Sequence, residues 1–313
     1  MPFTAKSGKF NASINTVEFG TGDKAVKIGG ENVFPLYSFD AAIENAPKVG
    51  IEITDFGMEH EPECIKKYYE GCATLADMAR KAASMEGVDF LSFRMEGGDP
   101  NGANKSTEEL IGELKEIADA VDLPLVVCGC KNVEKDAELF SKAAEALNGK
   151  NAVILSAKEE NYKTVGAAAG LAYKQIVGAE SAVDINLAKQ LNVLISQLGV
   201  DSKSVVMNVG SAAVGYGFEY VISTMDRVKA AALQQGDANL QMPIITPVAS
   251  EAWGVKEAMA SETDVPEWGS QEERGIDMEV ETAMAVIAAG SNAVILKHPE
   301  SIKIISGLMK ELV

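Results

Sequence analysis

Residues 88–128, VDFLSFRMEGGDPNGANKSTEELIGELKEIADAVDLPLVVC, decide the fold of this chain. A short apolar run, VDFLSFRM, leads through a glycine-rich loop into a helical stretch over residues 107–121, and a second apolar run, LPLVVC, follows. Runs that are apolar throughout are typical of strands buried on both faces, and so of a parallel sheet covered by helices. The stretch therefore predicts one strand–helix–strand unit.

The same alternation continues on both sides of this unit. Six further apolar runs are KVGIEI, NAVILS, QIVG, SVVMNV, MPIITP and NAVILK, with helical stretches over residues 65–84, 134–147 and 186–198 among them. An open parallel sheet would predict a G-x-G-x-x-G loop after its first strand, whereas TDFGMEHEP follows KVGIEI. Eight strands without that loop favour an α/β fold of the (β/α)8 TIM-barrel type over residues 47–313.

Two segments stand outside the repeat. Residues 1–46 form a short N-terminal arm, in which INTVEFG, TGDK and AVKIGG predict a β-hairpin with its turn near Gly22 and Asp23, packed over one end of the barrel. Residues 249–275 form a long insertion before the last strand, which we expect to be a lid or a docking surface. Its tryptophans, Trp253 and Trp268, fit a core position and an interface position equally well.

Charge and cysteine content narrow the function classes. With 28 Lys and Arg against 46 Asp and Glu, the net charge is −18, which disfavours binding to nucleic acid or to an anionic membrane. The four cysteines lack C-x-x-C spacing and fit small buried side chains better than an iron–sulfur site. MPFTAKSGKF lacks the apolar core of a signal peptide, and no apolar run reaches membrane-spanning length. We therefore expect a cytoplasmic protein.

Function in such barrels sits at the mouth, the end where the strands finish and the chain turns into helices. The polar and glycine positions expected there are Asp99, Asn101, Asn104, Gly129, Cys130, Ser156, Glu159, Glu160, Asn208, Thr246 and His298. This set contains amides, hydroxyls and glycines but few basic groups. It suits contact with a large neutral group better than catalysis.

Three of these features have a catalytic or binding interpretation and a structural one. Glu159 and Glu160 could form an acid–base pair, or could place negative charge at a helix start. GSAAVGYG, residues 210–217, could hold an anion but contains no cation. His298 could bind a metal, or could begin a helix before Pro299. No catalytic residue and no metal ligand is assigned.

The loops at these positions carry a family resemblance. The segments are EGGDPNGANKS, PLVVCGCKNVEKD, AKEENYK, DINLAKQLNVLI, VGYGFEYVISTMDR, EAWGVKEA and EERGIDMEVETAMAVIAAGSNAVILKHPE. In this order they resemble the small subunit of the corrinoid iron–sulfur protein, which in archaea is the delta subunit of the acetyl-CoA decarbonylase/synthase complex. The similarity runs from about Val33 to the carboxyl end, and the hairpin arm is only loosely similar.

The resemblance implies a heterodimer with a large subunit that carries a [4Fe–4S] cluster and a mobile domain binding a cobalamin-type corrinoid. The corrinoid would lie between that domain and the mouth of this barrel. It would carry a methyl group from methyltetrahydrofolate or a related pterin, at a separate pterin methyltransferase, to acetyl-CoA synthase/CO dehydrogenase in the Wood–Ljungdahl pathway. This chain would then be a non-catalytic subunit.

We expect seven residues at the strand ends to lie nearest the corrinoid: Asp99, Asn101, Asn104, Gly129, Cys130, Asn208 and Thr246. This expectation follows from their position and not from any known contact. The alternative is a methyltetrahydropterin-binding methyltransferase with the same barrel, in which Asp99, Asn101 and Asn208 would hold the pterin.

Overall fold

Eight parallel strands close into a barrel in the computed structural model, which describes residues 8–313. Residues 1–7, which include most of the MPFTAKSGKF stretch and the beginning of the predicted arm, lie outside the described residues. The barrel strands are β3 (Lys48–Thr54), β4 (Phe90–Arg94), β5 (Leu125–Cys128), β6 (Val153–Ala157), β7 (Ile176–Glu180), β8 (Val205–Asn208), β9 (Ile244–Pro247) and β10 (Ser291–Leu296), preceded by the antiparallel pair β1 (Val17–Phe19) and β2 (Val26–Ile28). Because β10 pairs with both β3 and β9, the predicted TIM barrel is confirmed.

Helices follow the strands around the outside of the barrel. They are α1 (Glu63–Lys66), α2 (Leu75–Ala83), α3 (Thr107–Ala120), α4 (Val133–Ala146), α5 (Tyr162–Val165), α6 (Ile185–Gln197), α7 (Phe218–Leu233), α8 (Ala249–Ala252), α9 (Lys256–Met259), α10 (Gln271–Ala289) and α11 (Pro299–Leu312). A π-helical segment, Gly166–Ala172, continues α5. Within residues 8–313, no helix combines the length and the apolar character needed to cross a bilayer.

Capping side chains set several of the helix starts. The Ser106 hydroxyl accepts the N–H of Glu109 at 3.2 Å, and the Asp184 carboxylate accepts the N–H of Asn186 at 2.8 Å. The single helix predicted over residues 65–84 is wrong. The chain instead passes through a left-handed glycine, Gly71 at φ +85°, and begins a new helix at the Thr74 capping box.

The hairpin of β1 and β2 closes the amino-terminal end of the barrel. The side chains of its buried face, among them Phe19 and Ile28, pack on a layer formed by the first inward-facing residue of each of several barrel strands. In this layer the Phe19 ring contacts the Phe90 ring edge-to-face, with 5.5 Å between the ring centroids. The other strand residues of this layer are Val126, Val153, Ile176, Val206, Ile245 and Ala293. The predicted hairpin is confirmed, and its buried face seals the barrel interior at that end.

The insertion before the last strand forms short helices, and part of it packs in the core. The segment predicted over residues 249–275 contains α8, α9, a 3-10 turn at Pro266–Trp268 and the beginning of α10. Trp253 is buried, with its ring stacked on His298 at 5.8 Å, whereas Trp268 is about one-third exposed. One tryptophan is therefore a core residue and the other lies at the surface.

Candidate functional site

A cavity of about 440 Å³ opens at the carboxyl ends of the strands. Successive strands from β4 to β9 each place at least one residue in its wall. These lining residues include Arg94, Cys128, Gly129, Ser156, Lys158, Glu180, Asn208 and Pro247. A concave, mixed polar and apolar space of this volume is within the range that holds small molecules.

An ion pair lies in the wall of this cavity. Arg94, at the end of β4, is buried, and its Nε donates to Oε2 of Glu52 on the neighbouring strand β3 at 3.0 Å. Burial opposes the charge of Arg94, but the nearby acidic groups, chiefly the Glu52 carboxylate, together outweigh burial and raise the pKa of the guanidinium. Arg94 therefore stays charged in a desolvated setting.

A second polar group surrounds Glu180 at the end of β7. Its carboxylate accepts the Ser156 hydroxyl at 2.9 Å and forms an ion pair with Lys158 at 3.2 Å. The side-chain amide of Asn208 donates to the Ser156 hydroxyl at 3.1 Å, and its oxygen accepts the N–H of Gly210. These bonds fix three neighbouring strand ends relative to one another.

The two cysteines of β5 and its loop are thiols rather than thiolates. Burial raises the pKa of Cys128 to about 11 and that of Cys130 to about 12. The Cys130 N–H donates to Asp136 Oδ1 at 2.7 Å, and burial raises the pKa of Asp136 as well. A side chain at Gly129 would collide with the Asp136 carboxylate, so this loop requires glycine. At neutral pH the two sulfurs remain protonated.

The rim of the cavity combines an ion pair with exposed aromatic rings. Lys131 reaches Glu251 of α8 at 3.1 Å. Tyr216 and Tyr220 are both more than half exposed, beside Val183. Val183 has φ +60°, a strained backbone for a β-branched residue, and its N–H and carbonyl are held by hydrogen bonds. Strain of this kind is concentrated at functional sites.

The structure brings together only part of the predicted site. Gly129 and Asn208 line the cavity, and Cys130 lies beside it, bonded to Asp136. Thr246 is fully buried, with its hydroxyl 2.8 Å from that of Ser291, and does not line the cavity. The loop residues Asp99, Asn101 and Asn104 are apart from the cavity lining: Asn101 and Asn104 are exposed, and Asp99 is partly exposed.

The cavity is also lined by charged residues that were not predicted from the sequence. Arg94, Lys131 and Lys158 line it, so the expectation of few basic groups at the mouth is corrected. Asp136 and Glu180 were also missed. A signal was present, because Glu52 in KVGIEI and Arg94 in VDFLSFRM are charged residues inside otherwise apolar strands. Such residues are buried only when they are paired.

The surroundings of His298, Glu159 and Glu160 fit the structural interpretation of each residue rather than the metal-binding or acid–base one. The Nδ1 atom of His298 accepts the N–H of Glu300 at 3.1 Å, so this residue caps α11. Glu159 and Glu160 lie in the exposed turn before α5, outside the cavity. In residues 8–313, no three or more His, Cys, Asp or Glu side chains are grouped so that they could hold a metal ion.

Solved structures with the same fold include dihydropteroate synthases. The enzyme from Vibrio fischeri superposes with a TM-score of 0.57 at 11% identity, covering 94% of this chain and 97% of that one. The enzyme from Thermus thermophilus, in complex with 4-aminobenzoate, gives 0.56 at 12% identity, covering 95% of this chain and 100% of that one. At such identities the likeness shows the fold alone.

Sequence comparison identifies the family. The sequence profile of the CO dehydrogenase/acetyl-CoA synthase delta subunit matches residues 16–309, so the match includes the hairpin that the resemblance had left outside. The chain is also similar to delta subunits of acetyl-CoA decarbonylase/synthase complexes. The subunit from Methanopyrus kandleri is 32% identical over 93% of this chain and 71% of its own length, and the one from Methanothermobacter thermautotrophicus is 31% identical over 95% of this chain and 75% of its own length. Subunit delta 1 from Methanosarcina thermophila is 29% identical over 94% of this chain and 67% of its own length. This chain spans about two thirds to three quarters of the length of these relatives. The chain belongs to the CO dehydrogenase/acetyl-CoA synthase delta subunit family.

Proposed function

We propose that this chain is the small subunit of a corrinoid iron–sulfur protein, a methyl carrier between a pterin methyltransferase and acetyl-CoA synthase. The observation that carries the proposal is the family match, which extends over nearly the whole described chain. In this role the barrel itself performs no chemistry. Its mouth covers the corrinoid that the large subunit holds, and the corrinoid supplies methyl transfer when it is bound.

The composition of the mouth fits such a group. A corrinoid is broad and largely apolar, with neutral carboxamide side chains around its edge. The exposed rings of Tyr216 and Tyr220 offer an apolar contact surface, and the cavity beside them offers hydrogen-bonding groups. The charged residues Lys131 and Lys158 are both paired with carboxylates, so a neutral group meets no uncompensated charge from them.

The role of the chain's own residues is to bind, to orient and to exclude water. Tyr216 donates to Glu257 of α9 at 2.6 Å, which ties the rim after β8 to the insertion. The predicted corrinoid neighbours Asp99, Asn101 and Asn104 would approach the group from the loop after β4, outside the cavity. Gly129, Cys130 and Asn208 remain predictions for the same contact, whereas Thr246 is fully buried and would have to act through the residues that cover it.

The partners follow from the same role. A large subunit with a [4Fe–4S] cluster and a corrinoid domain would form the heterodimer, and the pterin methyltransferase and acetyl-CoA synthase/CO dehydrogenase would meet it in turn. Trp268, which is exposed on the insertion near Lys256 and Arg274, is our candidate anchor for a partner.

A co-expression pull-down with the large subunit tests the proposal. We expect a complex that carries corrinoid absorption bands and a broad iron–sulfur shoulder. A colourless chain that purifies alone in the presence of that partner would overturn the proposal.

The cavity supports one other candidate function, a methyltetrahydropterin-binding methyltransferase. A cavity of about 440 Å³ with paired polar groups is large enough for a pterin ring. Incubating the isolated chain with methyltetrahydrofolate and free cobalamin separates the two functions. Methyl transfer by the chain alone would replace the subunit proposal, and its absence would leave that proposal in place.

A further inference from the structure

Arg94 has more hydrogen-bond donors than the described chain uses. A guanidinium carries five N–H groups. Its Nε donates to Glu52 Oε2, whereas Nη2 lies 2.8 Å from the same oxygen but outside hydrogen-bond geometry, and has no other hydrogen-bond partner among residues 8–313. Leaving such a buried donor unpaired is costly. Nη1 has no hydrogen-bond partner among residues 8–313 either and, unlike Nη2, is not fully buried, so its N–H groups are available to an acceptor in the cavity that Arg94 lines.

Asp136 provides an acceptor in the wall of the same cavity. The side chain is buried, and its Oδ1 accepts both the N–H and the thiol of Cys130, at 2.7 and 3.2 Å. Among residues 8–313, none of the hydrogen bonds to this carboxylate goes to Oδ2. Asp136 can therefore accept a donor from a bound molecule without giving up the bonds that hold its loop.

The charge pattern limits what can bind. Three cations line or border the cavity, and each faces a carboxylate: Arg94 with Glu52, Lys158 with Glu180, and Lys131 with Glu251. An anionic ligand would have to compete with the carboxylates of these pairs, and a cationic ligand could pair with Asp136 but would offer no acceptor to the spare donors of Arg94. An uncharged ligand would leave all three intact.

We infer that the cavity binds an uncharged, planar N–H/C=O edge, with the carbonyl oxygen at Arg94 and the N–H at Asp136. An amide or a lactam presents such an edge. The edge has two sources: a carboxamide side chain at the periphery of a corrinoid, or the lactam of a free pterin-type heterocycle. The first source rests on the proposed function, and the second does not.

Two titrations into the full chain distinguish these sources. One uses unsubstituted pterin followed by calorimetry, and the other uses dicyanocobinamide followed by its absorption bands. Asp136→Asn is the diagnostic variant. Since its oxygen must still accept the Cys130 N–H, the new amide presents a donor to the cavity in place of an acceptor. For the probe that binds the wild type, we expect the dissociation constant of the Asp136→Asn variant to be about ten- to hundredfold higher, as for the loss of a hydrogen bond to a charged group.

Arg94→Lys is the second variant, which keeps the positive charge beside Glu52 but removes the spare planar N–H groups. It should weaken binding to a similar degree. Glu159→Gln, an exposed carboxylate outside the cavity, is the matched control and should bind like the wild type. Circular dichroism of each variant verifies that the chain has folded.

Each result decides the inference. Pterin binding that both cavity variants weaken supports it with a free heterocycle as ligand, and cobinamide binding with the same sensitivity supports it with the carboxamide. It is overturned if neither probe binds at millimolar concentration, or if both folded variants bind as tightly as the control. The subunit proposal fails separately, by the absence of a corrinoid-bearing complex in the pull-down.

Discussion

Asp55 holds the backbone N–H of Gly97 with both oxygens of its carboxylate, at 2.9 and 3.1 Å. The same side chain forms an ion pair with Lys105 at 3.1 Å, and its backbone carbonyl accepts the Lys105 ammonium at 2.7 Å. Gly97 and Lys105 lie near the two ends of the loop that carries Asp99, Asn101 and Asn104. One buried carboxylate after β3 therefore fixes the loop after β4.

Replacing Asp55 should loosen that loop. Asp55→Ala removes the side-chain bonds to Gly97 and Lys105 and leaves Lys105 with its hydrogen bond to the residue 55 carbonyl and its ion pair with Glu113, so we expect a loss of about 1–3 kcal/mol in the free energy of unfolding. Denaturant unfolding measures the loss, and hydrogen exchange at the Lys105 amide, which bonds to the Gly97 carbonyl, measures the loosening. Glu108→Gln, an exposed residue just after the same loop, is the control. Unchanged exchange at Lys105 would contradict the prediction.

Removing the Phe19 ring should destabilise the whole barrel. The ring is fully buried against Phe90 at the sealed end, so Phe19→Ala should lower the free energy of unfolding by about 3–5 kcal/mol. Thermal and denaturant unfolding measure the effect. Glu18→Ala, on the solvent-facing side of the same strand, should cost less than about 1 kcal/mol. Equal effects of the two substitutions would show that the hairpin does not seal the barrel.

His298 should make the protein less stable as the pH falls. Burial lowers the pKa of His298 to about 4 in the folded state, although Glu272 lies 3.3 Å from its Nε2 and opposes that shift. The unfolded chain, with the ordinary value of about 6.5, therefore binds the proton more readily between these two values. The contribution of the neutral His298 ring to the free energy of unfolding is complete above pH 6.5. It is lost on acidification towards pH 4, which lowers the free energy of unfolding by up to about 3 kcal/mol.

A variant and a titration test this pH dependence. His298→Asn keeps a side chain able to cap α11 and should reduce the slope of the free energy of unfolding against pH between 6.5 and 4. Proton NMR of the His298 ring should give a midpoint near 4. A midpoint near 6.5, or an unchanged slope in the variant, would show that the ring is not desolvated in this way.

Substitutions of the two tryptophans should affect different properties, the stability of the fold for one and assembly with the partner for the other. Trp253→Ala opens a space between the His298 ring and Gly275, and should cost about 3–5 kcal/mol of unfolding free energy. Trp268→Ala should change stability by less than about 1 kcal/mol but weaken capture of the large subunit in a pull-down. Assembly that is insensitive to Trp268→Ala would remove this residue from the proposed interface.

Apolar periodicity was sufficient for the barrel and the hairpin, because strands buried on both faces leave a strong local signal. The break between α1 and α2 was missed since it depends on a left-handed backbone at Gly71, which composition alone does not reveal. Helix starts with capping side chains, such as Ser106 and Asp184, leave a local signal in the sequence because the cap and the helix are adjacent.

The site was harder to predict than the fold. Residues that follow a strand were placed at the mouth, and this located Gly129 and Asn208 on the cavity wall. The side chains of Arg94 and Glu180 belong to the last positions of strands, and whether such a residue faces the cavity depends on barrel register. Pairs such as Arg94 with Glu52 join positions 42 residues apart, and no local pattern in the sequence predicts such a pairing.

The sealed end of the barrel imposes an order on folding during synthesis. The hairpin leaves the ribosome before any barrel strand, yet Ala293 of the last strand belongs to the apolar layer that covers it. The hairpin's own contacts are thus among the longest in sequence separation, and they become complete only after nearly the whole chain has been released. Until then the apolar face of Phe19 and Ile28 lacks its final cover and stays exposed to other apolar surfaces.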